Sequence, residues 1–233
     1  MPTIVFASPK GGAGKSTSAV VLATEMAGKG ATVTVIDADP NKPVSRWAKR
    51  PGRPDNLDVI SDVNEETIID VIDAAATRSA FVIVDLEGTA STTVSYAISR
   101  ADLVIIPTQG SPLDAVEAAK AIRLVHRMEK VAGGRKILTS VLFTRTSAAI
   151  RPRTLQAIAT EFNEGGIPTF ATSMNERDAF RAIFAFGGTL AKLDSTQVSN
   201  VDAAIANARA FMGEVVAMLN ASQGAATRSA KVA

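Results

Sequence analysis

The sequence predicts an α/β fold, a mostly parallel, doubly wound sheet between two helical layers. Three observations carry that expectation. Short Val- and Ile-rich runs alternate with helical stretches along the chain, a glycine-rich turn joins the first run to the first helix, and two later runs end in aspartate. The first run, 3–7, is continuously apolar, as a strand covered on both faces requires. A helix is expected over 16–29, with Gly30 just past its end. Strands follow over 32–36, 57–60, 81–84, 103–106, 137–143 and 168–171, each short and rich in β-branched residues or bounded by turn residues. Helices are expected over 65–77, 92–99, 113–132, 152–163 with Pro152 near the first turn, 177–184 and 201–220. No fixed-period repeat and no Pro/Gly/Ser-rich linker divides the chain, so residues 1–221 are expected to form one domain. Residues 222–233 are small and polar and read as a frayed tail.

Composition narrows the chemistry. The 233 residues include no cysteine and a single histidine, which excludes disulfides, thiolate metal sites and a cysteine nucleophile and argues against a His-based metal cage or a Ser-His-Asp triad. His126 sits among basic neighbours and is expected on a helix surface. No stretch approaches the length needed to span a bilayer, and the chain reads as cytoplasmic. The net charge of +2 is too small to mark a dedicated nucleic-acid binder. Local clustering is more informative. Lys42, Arg46, Lys49, Arg50 and Arg53 form a basic block with no acid among them, which reads either as a phosphate-neutralising patch or as a solvated loop. Arg145, Arg151, Arg153, Arg177 and Arg181 form a second candidate group.

Between the first strand and the first helix lies Ser8-Pro-Lys-Gly-Gly-Ala-Gly-Lys-Ser-Thr17. Gly11, Gly12, Ala13 and Gly14 let successive backbone N–H groups curl around a phosphate, Lys15 reaches the terminal phosphates, and Ser16, with Thr17 after it, opens the helix where a hydroxyl can ligate Mg²⁺. Pro9 stands where the strict pattern asks for glycine, and Lys10 precedes the paired glycines. Two further segments place carboxylates at strand ends, the ligand-binding edge of an open α/β sheet: Asp37-Ala-Asp39 and Asp85-Leu-Glu87. Asp39, followed by Pro40 and Asn41, also has good turn chemistry.

The Lys-Gly-Gly-x-Gly-Lys-Ser pattern resembles the deviant Walker A loop of the ParA/MinD family, so the fold is expected to be the three-layer P-loop NTPase sandwich. The resemblance implies ATP and Mg²⁺ as ligands and ATP hydrolysis as activity. It implies that Lys10 reaches across a nucleotide-sandwich homodimer, that Lys15 acts within its own site, that Asp39 positions the hydrolytic water near Mg²⁺, and that Asp85 is the Walker B aspartate. Asp37 looks like support for these groups. The chain departs from the family after Asp85, where Leu-Glu-Gly-Thr-Ala replaces the usual prolines; Glu87 reads either as a further water- or Mg²⁺-associated carboxylate or as a plain loop charge. Met174 and Asn175 match the region that contacts adenine in ParA proteins, and Thr144 and Arg145 either flank that pocket or are ordinary loop residues. Ser45-Arg-Trp47 and the segment from Met174 to Phe180 resemble a subgroup containing the relaxosome-associated ATPases of agrobacterial Ti plasmids, with Trp47 expected as a packing anchor. Family membership implies non-specific DNA binding in the ATP state, nucleoid association, and a centromere-binding or cargo-adaptor partner. The subgroup implies instead a relaxosome protein as partner, and neither reading inserts into a membrane.

Overall fold

The computed structural model describes residues 1–88, 91–150 and 152–232, with side chains as far as Ser222. Seven parallel strands form its sheet in the order β3-β2-β4-β1-β5-β6-β7: β1 Thr3–Phe6, β2 Val33–Ala38, β3 Leu57–Ile60, β4 Phe81–Leu86, β5 Leu103–Thr108, β6 Leu138–Thr146 and β7 Met174–Asn175. The strand alternation divides the core in two. Ile4, Phe6, Ile83, Leu103 and Ile105 face one layer, built by helices α1 (Lys15–Gly28), α2 (Pro43–Ala48), α7 (Asp178–Phe186) and α8 (Val201–Val232). Val5, Val82, Val84, Val104 and Ile106 face the other, built by α3 (Ile68–Arg78), α4 (Thr92–Ser99), α5 (Pro112–Val131) and α6 (Arg153–Glu164). The three-layer, doubly wound expectation therefore holds. β1 lies between β4 and β5, and the chain leaves it for β2 on the β4 side and later returns to β5 on the other. That reversal opens the crevice at the carboxyl ends where α/β sheets bind ligands.

The structure corrects the sequence reading at three places. The strand expected over 168–171 contributes only an isolated bridge between Val141 and Thr169. The reason is a competing acceptor: the Glu214 carboxylate on α8 accepts the backbone N–H groups of Ala171 and Thr172, so the chain leaves the sheet and rejoins it at Met174. The block from Lys42 to Arg53 is not all loop. Pro43 opens the short helix α2, which buries Val44 and Trp47 beneath its charged residues. Trp47 is the packing anchor expected of it, with its indole N–H donating to the Gly188 carbonyl. Gly188 and Gly187 both have positive φ, and a Cβ on Gly187 would lie 2.5 Å from the Arg50 Cβ, so only glycine lets this turn close on α2. At the far end, α8 runs to Val232 and includes the segment whose composition suggests a tail. Among the described residues no helix is long and apolar enough to cross a membrane.

Candidate nucleotide site

The phosphate loop is built for an anion. Gly12 and Gly14 have φ of 75° and 93°, which L side chains rarely adopt, and Gly14 caps α1. No acidic residue occupies the first turn of α1, so its free N–H groups and dipole face the crevice unopposed. Thr144 supports the loop from β6: its hydroxyl donates to the Ala13 carbonyl at 2.8 Å, and its side chain fills the space a Cβ on Gly14 would need. Lys15, the first residue of α1, is buried, with its Nζ 3.4 Å from the carbonyls of Ser8 and Lys10. Burial lowers its pKa, against the opposing pull of Asp85, Asp39 and Glu87. Ser16 and Thr17 are half-buried beside it.

The strand ends bring the carboxylates in. Asp37 and Asp85 are register partners on adjacent strands, and both are fully buried. One Asp37 oxygen accepts from the backbone N–H and hydroxyl of Ser45, while the other has no hydrogen-bond partner. Both oxygens of Asp85 lack one among the described residues, although the Ser16 hydroxyl is close enough to favour its charged form. Burial pushes Asp85 up to about 7, reinforced by Asp37 and Asp39 and only partly offset by Ser16 and Lys15. Asp37 is also raised, chiefly by burial, against its Ser45 hydrogen bonds and the charge of Lys42. Three orphaned carboxylate oxygens beside a serine hydroxyl suit a hard divalent cation, which takes oxygen ligands. Asp39 is more open and closes the turn that its sequence suggests, accepting from the Asn41 N–H at 2.7 Å. Glu87 is half-buried on the same edge, and a Cβ on Gly88 would stand 3.1 Å from the Gly11 nitrogen. The segment after β4 thus touches the phosphate loop backbone to backbone. Thr89 and Ala90, which complete that segment, lie outside the described residues.

Lys10 stands at the rim of the loop. Its Nζ is 2.5 Å from an Asp114 oxygen. Asp114 is buried at the start of α5, where its N–H donates to the Ser111 hydroxyl and its carboxylate accepts from it. Burial opposes ionisation there, but the hydrogen bonds of Lys10 and Ser111 outweigh it and hold the carboxyl below the usual range.

Next to Gly14, Thr17 and Ser18 opens a cavity of about 270 Å³ whose walls include Met174, Asn175, Arg177 and Phe180. Met174 is buried and Asn175 half-buried. The Asn175 side-chain oxygen accepts from Thr146 at 2.8 Å, leaving its NH₂ as the free edge, and the Arg177 Nε is a buried donor without a partner. Arg145, held at φ 53°, and Arg181, paired with Glu176, line the same cavity, so these members of the second basic group face a pocket rather than an open surface. Arg153 starts α6, and Arg151 falls outside the described residues.

Two residues invisible to motif reasoning hold this end in place. Asn207 accepts from the Asn175 N–H and donates to the Ser173 carbonyl, and Glu214 accepts from Ala171, Thr172 and the Thr172 hydroxyl. The only sequence signal for them is two polar side chains interrupting the apolar periodicity of a helix.

Against known proteins, the VirC1 protein family model matches residues 1–224. The chain belongs to the VirC1 family. It is 46% identical over 211 residues to protein ParA of Rhizobium radiobacter, covering 91% of this chain and 94% of that one. It is 31% identical over 188 residues to protein virC1 of the same organism, covering 78% and 80%. Among solved structures it is similar to apo McdA of Cyanothece, with a TM-score of 0.71 at 18% identity over 89% of this chain and 99% of that one. The resemblance to ParA-type P-loop ATPases drawn from the phosphate loop is thereby borne out.

Proposed function

We propose that residues 1–221 form an ATPase domain that dimerises on binding ATP, binds duplex DNA without sequence preference in that state, and positions a cargo through an adaptor protein. The observation that carries this reading is the continuity of three chemistries along one crevice: an N–H-lined loop with Lys15, the orphaned carboxylates Asp85 and Asp37, and a cavity walled by Met174 and Phe180 and edged by Asn175. In it, Gly11, Gly12, Ala13 and Gly14 cradle phosphates, Lys15 neutralises the β- and γ-phosphates, Thr17 and Met174 pack against the nucleoside, and Asn175 reads the base edge. Ser16 and Asp85 hold Mg²⁺, with Asp39 nearby. Bound there, Mg²⁺ supplies positive charge to the phosphate oxygens. Asp39 orients the water that attacks the γ-phosphorus, and Lys10 leaves Asp114 to reach the nucleotide of a partner subunit.

The DNA surface follows from which basic residues have no partner. Lys42 donates to the carbonyls of Asp37 and Ser61, and Arg53 to Leu57, so both are committed inward. Arg46 on α2 and Lys49 and Arg50 just after it are exposed, with no side-chain hydrogen bond or ion pair among the described residues, and they lie close in sequence to the turn at Asp39. Such a patch gives salt-sensitive binding to any duplex.

Asp39→Ala is expected to bind ATP and accumulate as a dimer with hydrolysis reduced roughly 10²-fold or more; Lys10→Ala is expected to keep nucleotide binding and lose the ATP-dependent dimer. Sedimentation and phosphate release measure both, and an Asp39→Ala protein turning over at the unaltered rate overturns the assignment. A second reading, an accessory ATPase that recruits a DNA-transfer relaxosome, is favoured by the VirC1 family match over residues 1–224. Preference for a transfer-origin duplex or a relaxase over arbitrary DNA separates the two.

A further inference from the structure

A groove of about 270 Å³ lies between α4 and α5, apart from the base cavity. Its walls are apolar, from Val94 and Ile98 on α4 and Ala121 and Leu124 on α5, and its inner end reaches Pro9 and Glu87. Its rim is basic. Lys120, Arg123 and Arg127 follow one another at i, i+3 and i+7, a single stripe along α5, and all three border the groove. Lys120 is paired with Glu117. Arg123 and Arg127 are exposed and make no ion pair or side-chain hydrogen bond among the described residues. Neither helix of the groove neutralises them: α4 carries no charged residue, and α5 carries no acid between Glu117 and Glu129. His126 and Lys130, also exposed on α5, add to the positive field. Glu87 is the one carboxylate lining the groove among the described residues, and it sits at the inner end.

We propose that this groove docks an acidic segment of a partner protein, which seats an apolar side chain between α4 and α5 and lays its carboxylates against Arg123 and Arg127. Two unpaired guanidinium groups one helical turn apart match carboxylates, each of which an arginine can hold through two parallel hydrogen bonds. The apolar slot supplies the desolvated anchor point that charge pairing at a rim lacks. Duplex DNA offers phosphates to the same arginines but no side chain to fill the slot. Glu87 repels an acid at the inner end, which fixes the polarity: apolar group inward, acids outward. An occupant there touches the phosphate loop at Pro9 and the segment after β4 at Glu87. The proposal stands apart from the ATPase reading, because the groove is formed without nucleotide.

The test uses the full chain and a fluorescein-labelled synthetic peptide of about a dozen residues, Glu and Asp with leucines at helical spacing, read by anisotropy. Controls are the same peptide with lysine for each acid, the same peptide with serine for each leucine, and an arbitrary duplex DNA. The acidic peptide is expected to bind with and without an ATP analogue, and each control peptide to bind at least about tenfold more weakly. The double variant R123E/R127E is expected to lose the acidic peptide by a similar factor while binding the ATP analogue as wild type does, which shows that it is folded and separates this proposal from the nucleotide site. The proposal is overturned if the acidic peptide does not bind, if the lysine peptide binds equally well, or if R123E/R127E retains the peptide. It is also overturned if the variant loses duplex DNA while the peptide never binds, since the face is then a nucleic-acid surface.

Discussion

The phosphate end and the base end of the crevice are held by different kinds of structure. At the phosphate end every group sits near the carboxyl end of an interior strand, in the turn after it, or at the start of the helix that follows: the loop and Lys15 follow β1, Asp37 lies near the end of β2 with Asp39 just after it, and Asp85 lies near the end of β4. Its most buried charges are held at a cost, since three oxygens of Asp37 and Asp85 lack partners among the described residues and burial lowers the pKa of Lys15. The base end is held differently, although one buried donor there, the Arg177 Nε, also has no partner among the described residues. Met174 and Asn175 lie on a two-residue edge strand, and their position depends on Asn207 and Glu214, which reach in from α8 and are satisfied by doing so. One end stores unfavourable electrostatics that a ligand relieves, and the other is a loop braced by hydrogen bonds.

Asp85→Asn gives the largest expected separation of the two. Phosphate release should fall roughly 10³-fold, while binding of adenosine, which has no phosphates, stays unchanged. The same variant tests the stored cost. An acid whose folded pKa lies at about 7 keeps a proton that the unfolded chain gives up near its ordinary value. The ligand-free protein should therefore lose stability as pH rises from about 4 to 7, by up to about 4 kcal/mol, and Asp85→Asn should remove that loss in urea titrations. A flat wild-type profile would mean that the phosphate end is not strained.

Next in size is the pH dependence of binding itself. If Asp85 holds Mg²⁺ as proposed, Mg²⁺-ATP displaces a proton from it below about 7, and the affinity should fall by up to about tenfold per pH unit. Calorimetry in two buffers of different ionisation enthalpy would register the released proton. Adenosine should show neither effect.

The smallest effect is expected from the bracing. Glu214→Ala removes the acceptor of two backbone N–H groups and a hydroxyl, which should loosen the loop and weaken ATP by about five- to tenfold. Inorganic tripolyphosphate, which uses only the phosphate end, should bind as before. Equal losses for both ligands would abolish the distinction between the ends.

The same contrast explains what the sequence reveals. The phosphate end is legible because its chemistry is local: a turn of glycines, a lysine, and aspartates that end apolar runs. The first six strands and most of the helices between them are legible for the same reason, since Val/Ile runs and helical stretches alternate cleanly. The edge strand is not, because two residues carry no periodicity and the carboxylate that pulls 171–172 out of the sheet lies on a distant helix. Helix α2 is hidden by composition: its six residues sit inside a basic run, and only the burial of Val44 and Trp47 reveals an inner face. Thr144 belongs between these cases. It reads as a possible neighbour of the base, and it does border that cavity, but its hydrogen bond goes to the phosphate loop.

The contact between Lys10 and Asp114 has a consequence for how two subunits could part. A lysine that serves a neighbour's phosphates must first surrender a buried carboxylate of its own, so each subunit exchanges one ionic contact for another instead of adding one. Asp114, left behind in a buried site, then favours the lysine's return. In the proposed dimer, pairing built on such an exchange would gain less than a wholly new contact, and loss of the γ-phosphate would favour the lysine's return to Asp114.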